Sequence, residues 1–135
     1  MASRDKRSSI AVVKAFSPAL INTATTTVGT AIDLQGFDSC TFVIAEGVKT
    51  AGAVTPLVED SADNSTYAAV SDTFLIGTEA AAAAVLVATD AVATIGYVGH
   101  KRYVRLSLVS DGTTNLTIGA TAIKDIAHNQ PAAVS

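Results

Sequence analysis

The sequence predicts an all-β fold, a single-domain two-layer β-sandwich, on three observations. The apolar residues are small and β-branched, with Ala, Val and Ile beside many Thr and no Trp; a branched Cβ restricts χ1 and packs well on a pleated strand. Short alternating runs recur between clusters of turn formers, and no convincing long helix interrupts them. With 135 residues the chain has one domain's length and can bury roughly 68% of its unfolded surface, enough for one core without metals or disulfides. Strands apolar on one face bury it against a second sheet.

Residues 1–9 are polar and basic without periodicity and read as a flexible arm. The sandwich spans residues 10–127, and residues 128–135 read as a loose tail. The first strand is expected over Ile10–Phe16, with Pro18 ending it or placing it at an edge. Thr23–Thr27 reads as a linker of high β tendency, Thr30–Leu34 as a mixed alternating run, and Gln35–Asp38 as a turn. Cys40–Ala45 sets Cys40, Phe42 and Ile44 on one face, and its second face is nearly as apolar, the mark of a central or doubly covered strand. Glu46-Gly47 is expected to close it. Val54–Glu59 follows, with Pro56 favouring an edge or bulge; Glu59–Thr66 is a dense run of turn formers leading into Tyr67–Val70, a hairpin. The alanines of Glu79–Ala84 suit a single helical turn or a loop. Gly96 and Gly99 read as glycines bounding a turn. Arg102–Val109 is the strongest strand, with Val104, Leu106 and Leu108 inward and Tyr103, Arg105, Ser107 and Val109 outward. Asp111-Gly112 offers hairpin turn chemistry before a return strand, Leu116–Ile123, with Leu116, Ile118, Ala120 and Ala122 inward.

Charge and chemistry exclude more than they assign. The net charge of −3 gives no attraction to nucleic acid, which takes a basic face to displace counterions. The longest apolar run, Ala80–Ala88, is half a membrane span. The N-terminal run is broken by Lys14 and Pro18 and makes a poor signal peptide. The single Cys40 cannot form an internal disulfide and reads as a buried thiol. His100 and His128 have no metal-pair spacing, and Glu59, Asp60 and Asp63 lack the twelve-residue calcium pattern. Gly96-Tyr97-Val98-Gly99 lacks the strand-to-helix context of a nucleotide site. No nucleophile is paired with a base. The expectation is therefore a non-enzymatic protein with no cofactor, no small-molecule substrate, no nucleic acid and no membrane.

Two features point to protein contacts instead. One is the basic edge Lys101, Arg102 and Arg105 with Tyr97 and Tyr103, residue types enriched at interfaces. The other is the arm, with Arg4, Lys6 and Arg7. A carbohydrate-binding sandwich module is a competing reading, weakened by the absence of Trp.

Three stretches carry a resemblance: Gly29–Phe37; Val58–Asp72 with Ile76–Glu79; and Ile95–Leu106. Together they span most of residues 12–127, and they resemble small virion proteins of tailed bacteriophages, some of which are capsid cement or decoration proteins. The resemblance implies a jelly-roll-like sandwich, a homodimer or homotrimer, and a place on the capsid exterior of a virion assembled in the host cytoplasm. Its partner there would be the major capsid protein, whose neighbouring subunits it would bridge. Related proteins serve in the head–tail connector and tail. The motifs describe turns and strands and bring no catalytic residues.

Overall fold

The computed structural model describes residues 10–110 and 114–127. Among these described residues ten strands form two antiparallel sheets: β1 (Ala11–Ile21), β2 (Thr26–Val28), β3 (Ile32–Asp33), β4 (Phe37–Ala51), β5 (Val54–Ser61), β6 (Ala68–Ala69), β7 (Leu75–Ile76), β8 (Val92–Tyr97), β9 (Tyr103–Ser110) and β10 (Asn115–Ala127). An α-helix, α1 (Glu79–Val85), lies between β7 and β8, and a 3-10 turn, Asp72–Phe74, precedes β7. The first sheet runs β1-β10-β4-β8-β7 and the second β2-β9-β5-β6, with β3 also on β9.

The pairings nest. β1 pairs with β10, β2 with β9, β4 with β8 and β5 with β6. A long hairpin of four nested pairs, wrapped so that successive pairs alternate between sheets, is the jelly-roll form of the sandwich. The core lies between the sheets, where Phe42, Ile44, Ile95, Val104, Leu106, Leu108, Leu116 and Ile118 are each 1% exposed or less. Every residue expected inward on the two strongest strands is buried there.

Several boundaries differ from the expectation, for local reasons. β1 does not stop at Pro18. It is an edge strand, and the register slips between Phe16 and Ala19, so the proline sits in a bulge where no ladder N–H is lost. β4 continues past Glu46-Gly47, because β10 resumes pairing with Lys49 and Ala51 after its own register shifts. The linker ends in strand β2, and Thr30–Leu34 shrinks to the two residues of β3. Gly96 is not in a turn but inside β8, opposite Thr41.

The strand after Asp111-Gly112 does not return beside β9. β10 lies in the other sheet, between β1 and β4, so the chain crosses the sandwich. Both alternations still aim at one core, which facing strands satisfy as well as neighbouring ones. The turn residues themselves lie outside the described segments.

The hairpin into β6 forms as expected, with Glu59 opposite Ala69 and Asp60 opposite Ala68. Asp63 closes its turn by accepting from the Ser65 and Thr66 amides. α1 is a capped helix of 7 residues, its Thr78 hydroxyl accepting from Ala81 N. Beyond the two residues of β6, the edge of β5 is closed by other means. Pro56 has no N–H to offer, and the Val58 N–H donates to Glu79 Oε2 at 2.7 Å. Blocked donors of this kind protect an edge from strand addition.

Candidate assembly surfaces

Alternation carries three charged residues to the inner side of the sandwich, each at the end of an apolar series. Glu46 follows Cys40, Phe42 and Ile44; Asp60 follows Val58; Lys124 follows Ala120 and Ala122. Each is held locally. Glu46 Oε1 lies 3.1 Å from Lys49 Nζ, and that ammonium also donates to the Leu86 and Val87 carbonyls at the end of α1, where the helix dipole favours a cation. Lys124 donates to the Asp33 carbonyl and lies over the Phe37 ring. These positions were legible from strand parity, but sequence reasoning had not singled out Glu46 or Lys124.

Asp60 explains the fate of the expected basic edge. Tyr97, expected as a contact residue, is 1% exposed. It stands on the inner face of β8 and donates its hydroxyl to Asp60 Oδ2 at 2.8 Å. Burial, then this hydrogen bond, pushes its ionisation well above the ordinary tyrosine value. Gly99 makes room for the ring, since a Cβ there would stand 2.4 Å from the hydroxyl. Tyr97 is thus a core residue and not a contact residue.

The cations of that edge are neutralised in place. Lys101 Nζ lies 3.6 Å from Asp60 Oδ1. Arg102 makes a two-pronged pair with Asp33, Nε to Oδ1 and Nη2 to Oδ2, both at 2.8 Å. This holds the Asp33 carboxyl down at about 2. Its guanidinium also lies 5.0 Å from the centre of the half-buried Tyr103 ring. Arg105 pairs with Glu59 at 3.1 Å and lies 4.0 Å from the centre of the Tyr67 ring. The exterior of the second sheet is therefore charged but internally matched. Arg4, Lys6 and Arg7 lie outside the described residues.

The exterior of the first sheet is different, and its rows follow from the register. One row crosses Val12, Ile123, Thr41, Gly96 and Ile76. The next crosses Lys14, Thr121, Val43 and Thr94. A third crosses Gly119, Ala45 and Val92, with Pro18 standing over Gly119, where a Cβ would come within 3.0 Å of the proline ring. Lys14 is the single charge in these rows. The small third row leaves a shallow groove of about 540 Å³ between Pro18, Val43 and Thr117. Val12, Ile76 and Val92 are 49%, 66% and 60% exposed.

Catalytic or metal chemistry finds little footing among the described residues. No group of three or more His, Cys, Asp or Glu is placed to hold a metal ion. Cys40 is buried, and burial pushes its thiol up to about 12, which removes the reactive thiolate at neutral pH. His100 sits on the surface with its ring edge-on to Phe74. No described helix is long and apolar enough to cross a membrane.

No family model and no curated protein matches the chain. Among solved structures, it is similar to a pilus protein of Bacillus endospore appendages, described as belonging to a family of disulfide-linked pili. The likeness covers 94% of this chain and 98% of that one, at 12% identity and a TM-score of 0.43, too low to carry a functional argument.

Proposed function

We propose that this chain is a non-enzymatic structural protein of a tailed-phage virion, a cement or decoration subunit bound in many copies to the major capsid protein on the outside of the head. The observation that carries the reading is the contrast between the two exteriors. One sheet shows water a set of matched ion pairs; the other shows an almost uncharged face of Val, Ile, Thr, Ala and Gly. Exposed apolar patches of this extent mark interaction surfaces.

The jelly roll is compatible with the role, since that fold serves in viral shells, but also in lectins and enzymes, so it adds background only. The sequence resemblance supplies the particular place. A cement protein acts by binding the assembled lattice and not the free subunits, which shifts the equilibrium toward the assembled state. With Lys101, Arg102 and Arg105 already paired, contact with an acidic shell would fall to the arm residues Arg4, Lys6 and Arg7.

The test is the copy number in particles purified from infected cells, by quantitative mass spectrometry against the major shell subunit. The reading expects a number comparable to that of the shell subunit. A single ring's worth of copies would place the protein in the connector or tail, and absence from the particle would end the proposal.

A further inference from the structure

We infer that the groove on the exterior of the first sheet binds an aliphatic carboxylate of the fatty-acid class, with its chain along β10 and its head group on Lys14. This goes beyond the virion role and concerns the free protein. The ligand is held and not transformed.

The shape comes from a glycine and a bulge. Gly119 leaves the middle of β10 without a side chain, and the register slips of β1 between Lys14 and Ala19 bring Pro18 over it. Val43 and Ala45 of β4 line the groove from the other side, and Thr117 and Thr121 lie along its floor. Those two threonines are four residues apart on β10, about 14 Å at a strand's rise. The trough is thus long and narrow, the form of a chain. Its volume of about 540 Å³ falls within the range of about 300–1,000 Å³ for small-molecule sites.

Hydrocarbon follows from the backbone. β10 is paired on both sides, with β1 and β4, and β4 is paired with β10 and β8. Floor and wall therefore offer no ladder position to a peptide, whose own amides would be desolvated without partners. An alkyl chain has none to lose.

The carboxylate follows from charge. Of the six lysines and arginines among the described residues, Lys49, Lys101, Arg102 and Arg105 each face a carboxylate. Lys124 is held by the Asp33 carbonyl and the Phe37 ring. Lys14 is the sixth; it has no such partner among the described residues and stands opposite Thr121, lining the groove. No carboxylate lines the groove, and Asp125 on the outer face of β10 lies four residues past Thr121. An exposed ion pair contributes little, so the chain supplies most of the affinity and Lys14 sets its direction.

The experiment titrates sodium decanoate, below its micellar concentration, into isotope-labelled full chain, followed by amide shifts and calorimetry. Saturable binding of one decanoate per chain is expected, with shifts grouped at Val43, Ala45, Gly119 and Thr121. Lys14→Glu should weaken it about 5-fold or more. Ala45→Leu, which fills the trough from an exposed wall, should weaken it about 10-fold or more. Thr117→Leu serves the same purpose if Ala45→Leu fails to fold. Decyltrimethylammonium, the same chain with a cation, should bind the wild type more weakly than decanoate and Lys14→Glu more strongly. No saturable shift by about 5 mM, shifts centred on another surface, equal affinity of the wild type for anion and cation, or a filled trough that binds as before would overturn the inference. None of these readouts needs a particle, so the site and the virion role can fail separately.

Discussion

The hydroxyl of Tyr97, on β8 of one sheet, donates to the carboxylate of Asp60, on β5 of the other, at 2.8 Å inside the sandwich. This bond ties the sheets together at one end of the core, and the Lys101 amide, donating to the same hydroxyl at 3.2 Å, closes the loop above it. Tyr97→Phe keeps the ring and removes the donor, leaving a buried carboxylate oxygen short of a partner. The expected cost is about 1–3 kcal/mol, read as a lower urea midpoint at unchanged slope. An unchanged midpoint would mean that solvent reaches Asp60.

Leu106 lies at the centre of β9 with 0% exposure. Leu106→Ala should cost about 2–5 kcal/mol, the range set by how far the cavity collapses. A loss under about 1 kcal/mol would contradict the packing of the two sheets around this strand.

Glu79 offers a pH test. Burial raises its carboxyl above the ordinary value, against the opposing pull of the Val58 amide. A carboxyl raised in the folded state contributes stability below its unfolded value of about 4.5, and that contribution is lost as pH rises through the folded value. Glu79→Gln keeps the acceptor without the charge, so its stability relative to wild type should improve between pH 4 and pH 7. Glu79→Ala, which strands the Val58 N–H, should be less stable at both. Parallel stability curves for Gln and wild type across this range would refute the burial argument.

Cys40 should resist thiol reagents in the native protein at pH 8, because its ionisation is displaced to about 12 by burial, and react promptly in urea. Rapid native labelling would show that the core opens at β4.

Much of this was legible in the sequence because strand parity is a strict code. Cys40, Phe42 and Ile44, and Val104, Leu106 and Leu108, could be assigned inward residue by residue, and the same count carried on to Glu46, Asp60 and Lys124 finds the buried charges. What parity does not encode is which strand lies beside which. Asp111-Gly112 suggested a hairpin, yet β10 crosses to the opposite sheet. Nor does composition reveal pairing at long range. Lys101, Arg102 and Arg105 looked like a free basic edge because their partners, Asp60, Asp33 and Glu59, lie 41, 69 and 46 positions away. Tyr97 was misplaced because Gly96 and Gly99 were read as turn markers, when Gly96 lies in β8 and Gly99 makes space for the tyrosine ring.

The arm gives a separable prediction. Deleting residues 1–9 should leave the sandwich's circular dichroism and melting unchanged, since β1 spans Ala11–Ile21 and keeps its full length. It should reduce occupancy on shells, most at low salt, where the charges of the arm are least screened. Equal occupancy at low and moderate salt would assign binding to the sandwich alone.

The most direct test of the central claim is a titration of purified full-length protein onto phage heads that lack it, followed by electron cryomicroscopy of the saturated particles. The account predicts saturable binding at a fixed ratio to the major capsid protein, density for the sandwich repeated over the outer surface, and a higher temperature of genome release. Heads that take up no protein, with an unchanged release temperature, would contradict it.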